Sequence, residues 1–268
     1  MAECVKKEIG NFKVTIYPRF KRGMFGDIYK GIHNKTNKSV IVKELQMNHY
    51  GHSNMHISSN IEKEIEILRN LKDHKNIVQY LDHISSSESH YIVLEMCELG
   101  DLREYLTSKT DSSKSEKLDI MSQSASALLY LHTRNPPIIH WDIKLENMLL
   151  HRKDNEISLK LTDFGLSKEC GESTGFTIRR EPGLHYGSRT CAAPEFYDNH
   201  GNIDFTASVD VFALGLLFAV LYKHCKNHKV LYPTPGMILI NTGYMIFSIF
   251  YKGNTRVLHV IYILSNEP

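Results

Sequence analysis

The sequence predicts an α+β fold, with a small antiparallel sheet first and a mainly helical part after it. Three observations point there. Residues 12–45 alternate short β-rich runs with turn residues. Residues 118–132 and 209–222 carry apolar patterns of helical type. Between those helices runs Ile139-His140-Trp141-Asp142-Ile143-Lys144-Leu145-Glu146-Asn147-Met148-Leu149-Leu150, a polar loop between two apolar strand ends.

Size and composition bound the reading. At 268 residues and 42% apolar content, the chain holds one two-lobed domain or two small ones with a packed core. A formal net charge of +2 calls for neither nucleic acid nor an anionic membrane as partner. Cys4, Cys97, Cys170, Cys191 and Cys225 are odd in number and widely spaced, so a reducing, cytoplasmic setting is expected rather than a disulfide framework. Residues 1–10 carry charges where a secretory leader needs an apolar core. Residues 230–251 lack charge over a length that could span a bilayer, but Pro233, Pro235 and Gly236 interrupt them. A buried or unstructured tail is expected there, not a membrane span.

The elements follow in order. Residues 12–45 read as strand, glycine turn, strand, turn, strand, with Gly23 and Gly26 in the first turn and residues 34–38 in the second. Val40-Ile41-Val42-Lys43 ends a buried strand in a lysine, which needs an anionic partner unless it reaches a solvated edge. Ser59-Asn60-Ile61-Glu62 reads as a capping box opening a helix. Along it Ile61, Ile65, Ile67, Leu68 and Leu71 form one apolar stripe, and Glu64 projects from its middle. A glutamate in that place needs a cation, and Lys43 is the candidate. A polar turn at 85–89 leads to a strand over 91–96. Asp101 sits where it could cap the next helix. Residues 109–117 read as a surface loop. In the following helix Leu118, Met121, Ala125 and Leu128 are expected inward. A polar hairpin spans 151–158, a polar loop spans 166–193, and the helix over 209–222 is apolar all round except for Asp210.

The central loop concentrates chemistry. Within six residues it offers a carboxylate, an ammonium and a carboxamide, in Asp142, Lys144 and Asn147. These suit phosphoryl transfer: a proton acceptor, a cation for phosphate charge, and a metal-ligating oxygen. Sixteen residues after Asn147 comes Asp163-Phe164-Gly165. Together these stretches resemble the catalytic loop and magnesium motif of the eukaryotic protein kinase family, serine/threonine branch. Further motifs match in order: the glycine-rich segment 20–29, Lys43, Glu64, the segment 95–101, and Ala193-Pro194-Glu195.

The resemblance implies a two-lobed kinase fold over residues 12–226, divided into 12–96 and 97–226. An extension (1–11) and an unaligned apolar tail (227–268) flank it. It implies transfer of the ATP γ-phosphoryl group to a serine or threonine hydroxyl of a protein substrate, with ATP and Mg2+ as cofactors. Catalysis would fall to Asp142 and Lys144, and metal binding to Asn147 and Asp163. Nucleotide contacts would fall to Gly23, Gly26, Ile28, Ile41, Lys43 (fixed by Glu64), Glu95, Cys97, Asp101 and Leu149. Leu94 would guard the back pocket, and Asp210 would tie its helix to the catalytic loop.

Three positions depart from the pattern: Lys21 replaces a glycine, Ile41 an alanine and Trp141 an arginine. That arginine is the family's receptor for a phosphate on the activation segment, so phosphorylation there is not expected to control activity. The alternative is a nucleotide-binding or inactive pseudokinase. His224, Cys225 and His228 are interleaved with Lys223, Lys226 and Lys229, whose charge would repel a metal ion, and are not expected to bind one.

Overall fold

In the computed structural model the described residues are 4–17, 19–22, 26–46, 54–71, 74–109, 112–153, 156–170, 176–178, 191, 193, 203–223, 245–252 and 255–262. Gly23, Glu195 and the group His224, Cys225 and His228 lie outside them. In chain order the elements are β1 (Val5–Ile9), β2 (Phe12–Tyr17), β3 (Lys21–Arg22), β4 (Asp27–His33), β5 (Ser39–Gln46) and α1 (Asn54–Asn70). There follow β6 (Tyr80–Ser85), β7 (Ser89–Glu95), α2 (Leu102–Ser108), α3 (Lys114–His132), β8 (Ile138–Ile139) and a 3-10 turn (Leu145–Asn147). The remainder is β9 (Met148–Lys153), β10 (Glu156–Leu161), β11 (Lys168–Glu169), β12 (Phe176–Ile178), β13 (Ile203–Phe205), α4 (Ser208–Lys223), β14 (Met245–Lys252) and β15 (Thr255–Tyr262).

The chain forms two compact units. The first comprises residues 1–99 and 150–165. Its antiparallel sheet runs β1-β2-β4-β5-β7-β6, with β3 on β4. Strand alternation gives one face of this sheet a core of Ile9, Phe12, Val14, Val40, Val42 and Val93, closed by Tyr29 and Tyr91. Residues 5–9, expected as an extension, add the edge strand β1 to the sheet. Helix α1 buries Ile61, Ile65, Ile67, Leu68 and Leu71, the stripe expected from its periodicity. It begins five residues before Ser59, so the Ser-x-x-Glu sequence is internal to it. A capping box needs a non-helical first residue, and Ser59 is helical.

The second unit comprises residues 100–149 and 166–268. Helix α3 starts at Lys114, capped by Ser113, whose side chain accepts from the Glu116 backbone N–H at 3.1 Å. The loop expected over 109–117 is therefore partly helix. The buried face of α3 holds Ile120, Met121, Ser124, Ala127, Leu128 and Leu131, while Leu118 and Ala125 are only half-buried. Small Ser124 occupies the buried line because its hydroxyl bonds back to Ile120 O at 2.7 Å. Helix α4 is buried along most of its described length. In the tail, β14 and β15 pair antiparallel from Met245–Tyr262 to Lys252–Thr255. Among the described residues no helix is long and apolar enough to cross a membrane.

Candidate active site

In the first unit the site is built around Lys43. Val40 and Val42 point into apolar packing, so strand alternation turns Lys43 to the opposite face. There it is 7% exposed, with its ammonium 2.6 Å from Glu64 Oε1 and 2.9 Å from Asp163 Oδ1. Burial works against the charge, but the carboxylates of Asp163 and Glu64 outweigh it and hold the ammonium above its ordinary pKa. Burial likewise raises the Glu64 carboxyl, with Lys43 opposing that shift. Asp163 holds a left-handed φ of 66°, unusual for a residue other than glycine. Backbone strain of this kind persists where surroundings fix it, and the Lys43 contact is one such restraint.

Ile28 lies directly opposite Lys43 across β4 and β5, and Ile41 is two residues away on the same face. Both are half-buried. Gly26 meets the backbone of the neighbouring strand so closely that a Cβ there would fall 1.8 Å from Glu44 O. Only glycine fits. At the end of β7, Leu94 is buried, and Glu95 Oε1 accepts from Gln79 N–H at 2.7 Å and meets Lys160 Nζ at 2.8 Å. Cys97 is buried, and burial pushes its thiol up to about 12, which makes it a packing residue rather than a nucleophile.

In the second unit the loop after β8 gathers Asp142, Lys144 and Asn147. Asp142 is 4% exposed. Its Oδ2 pairs with Lys144 Nζ and accepts from Asn147 Nδ2 at 3.0 Å. The same Nδ2 donates to Asp142 O at 2.8 Å, so the amide nitrogen serves the loop and its oxygen is the metal-type donor. Asp210, 1% exposed, accepts from His140 N–H at 2.7 Å and Trp141 N–H at 2.8 Å, and lies 2.9 Å from His132 Nε2. The first residues of α4 thus hold the loop by its backbone, the tie expected of Asp210.

Trp141 is 5% exposed, with φ at 68°, and packs with Ile139, Cys170, Ala193 and Val209. The Lys168 ammonium lies 5.2 Å from its ring centroid. Asp101 caps α2 in a reciprocal box. Its carboxylate accepts from Glu104 N–H at 2.9 Å, and its own N–H reaches Glu104 Oε2 at 3.5 Å. Leu149 forms an isolated antiparallel bridge with Asp101.

The description "Protein kinase domain" matches residues 19–233. This chain belongs to the protein kinase family. The α+β kinase fold expected from the sequence is the one observed. Curated relatives of this kinase include a probable myosin light chain kinase of Dictyostelium discoideum, 30% identical over 207 residues. That match covers 76% of this chain and 48% of the relative. The "Serine/threonine-protein kinase 33" of Mus musculus is 30% identical over 209 residues, covering 75% and 40%. "Hormonally up-regulated neu tumor-associated kinase" of Homo sapiens is 29% identical over 217 residues, covering 80% and 28%. The kinase chain spans less than half the length of each of these relatives.

Several polar contacts were not foreseen from sequence. They are the buried His140, whose Nδ1 lies 3.3 Å from Asp142 N, the His132–Asp210 pair, and a carboxylate–tyrosine network around Glu44. Lone histidines and a strand glutamate carry no spacing signal. Tertiary packing brings the partners of His132 and Glu44 near, while His140 meets Asp142 through the local turn of the loop.

Proposed function

We propose that this chain is an ATP- and magnesium-dependent protein serine/threonine kinase. The observation that carries the reading is the trio of buried Lys43, buried Glu64 and half-buried Asp163, joined at 2.6 and 2.9 Å. A lysine and a glutamate taken out of water are costly to keep, and a structural core would be cheaper with apolar side chains. A lysine held by two carboxylates is a phosphate grip kept ready: on nucleotide entry Lys43 would contact the α and β phosphates while Glu64 fixes its direction.

In the reaction a substrate serine or threonine oxygen attacks the γ phosphorus. The bond from that phosphorus to the β–γ bridging oxygen breaks, and ADP leaves. Asp142 orients the hydroxyl and receives its proton, and Lys144 balances charge on the transferred group. Asn147 and Asp163 supply hard oxygen donors of the kind magnesium takes, and the ion would neutralise phosphate charge. Serine/threonine preference is supported by Lys144 two residues after Asp142 and by the name of the murine relative.

The test has two steps. A thermal shift with Mg-ATP should stabilise the purified chain. Labelled γ-phosphate should then appear on serine or threonine of a generic protein substrate. Stabilisation without transfer would identify a nucleotide-binding pseudokinase, the reading favoured by Trp141 and Lys21. Neither effect would overturn both.

A further inference from the structure

We propose that Glu44 is a positioning residue for the phosphate-side machinery, and that the N-terminal strand β1 takes part through Lys7. The inference rests on the kinase reading of Lys43 and Gly26 and adds what aims them.

Successive residues of a strand face opposite ways, so Lys43 and Glu44 share a peptide bond but serve opposite faces of the sheet. Behind Lys43, the half-buried Glu44 carboxylate is held by two buried tyrosines. Tyr29 Oη donates to Glu44 Oε2 at 3.0 Å, and Tyr91 Oη donates to Oε1 at 2.9 Å. Each carboxylate oxygen therefore has its own donor, one from β4 and one from β7, while the glutamate belongs to β5 between them. A network satisfied in this way admits one arrangement, whereas an apolar contact tolerates sliding.

Two further contacts give the network its consequence. Lys7 Nζ donates to Tyr91 Oη at 3.4 Å and lies 5.6 Å from the ring centroid, so β1 reaches the same tyrosine. The Glu44 carbonyl is also the group against which Gly26 is pressed. Glu44 thus adjoins both phosphate-side devices: Lys43 precedes it, and Gly26 packs on its carbonyl oxygen. Fixing the carboxylate fixes the roll of β5 about its own axis. That roll sets the direction of Lys43 toward Glu64 and Asp163. A residue chosen for packing alone would be aliphatic here, as its neighbours Val40 and Val42 are.

The experiment reads Lys43 directly. The full chain is acetylated briefly with a low dose of N-hydroxysuccinimidyl acetate, and modification at Lys43 is followed by mass spectrometry beside the melting temperature. Glu44→Ala should raise Lys43 labelling severalfold, and Glu44→Gln, which keeps an acceptor and adds a donor, should label like the parent. Tyr29→Phe with Tyr91→Phe keeps the apolar volume and serves if Glu44→Ala does not fold; it too should raise labelling. Unchanged labelling in the folded variants overturns the proposal, as does an increase in Glu44→Gln equal to that in Glu44→Ala. Mg-ATP binding by the parent is measured alongside. Its absence would count against the kinase reading alone, because the labelling result stands without nucleotide.

Discussion

At the scale of single residues, the two departures that the structure describes in most detail each yield an expectation. Ile41 lies on the Lys43 face of the sheet, half-buried, where the family has alanine. Extra bulk over a rigid pocket costs roughly 1–3 kcal/mol. Ile41→Ala should therefore strengthen Mg-ATP binding, as read by calorimetry; equal or weaker binding would mean the side chain does not overhang the nucleotide. Trp141 occupies the arginine position, buried in an apolar cluster with Lys168 against its ring. An indole has one neutral donor and cannot take a phosphate as an arginine fork does. Activity should survive phosphatase treatment. Activity that vanished and returned on rephosphorylation would contradict this. The buried partners were only partly legible at this scale. Glu64 could be found because a glutamate inside an apolar stripe breaks a visible period. Glu44 could not, because strand glutamates are common and its tyrosines come from other strands.

At the scale of elements, caps and hairpins carry the testable energetics. Asp101 closes the N-terminus of α2 with a reciprocal box, and losing such a cap costs about 0.5–2 kcal/mol. Asp101→Ala should lower the melting temperature accordingly, and an unchanged value would show the cap to be idle. On the β6–β7 hairpin, His83 Nε2 lies 3.0 Å from His90 Nδ1, with the rings stacked. Burial first, then His90 and Arg69, lower the His83 pKa, against Asp82. The unfolded chain therefore binds a proton here at a pH where the folded chain does not. Stability falls as pH drops below the ordinary histidine range, and rises again toward neutrality. His83→Gln should reduce this acid loss as pH falls from neutrality through the ordinary histidine range; an identical pH profile would assign it elsewhere. Periodicity located α1 correctly on its buried face but misplaced its start, because Ser-x-x-Glu occurs inside helices as well as at their ends. In α3 the expected line was offset, since Ser124, hydroxyl satisfied by Ile120 O, fills a buried position that a polar–apolar pattern assigns outward.

At the scale of the molecule, each unit carries one cluster of unusual charge. In the first, a lysine is locked between two carboxylates. In the second, a buried aspartate is fixed by a lysine, an asparagine and the backbone tie to Asp210. Motif order made part of this plan readable before the structure: it paired Lys43 with Glu64 and put Asp142, Lys144 and Asn147 in one loop, but did not place Asp163 against Lys43. Residues 245–252 and 255–262 were not readable as strands, since a short apolar run suits a buried strand or a buried helix equally. The central claim is that the Lys43 trio exists to grip phosphate. It is tested most directly by comparing Mg-ATP-dependent protein phosphorylation by the parent chain and by Lys43→Met, with melting temperatures measured in parallel. The account predicts measurable transfer by the parent and none by a variant that still folds; normal turnover by Lys43→Met would contradict it.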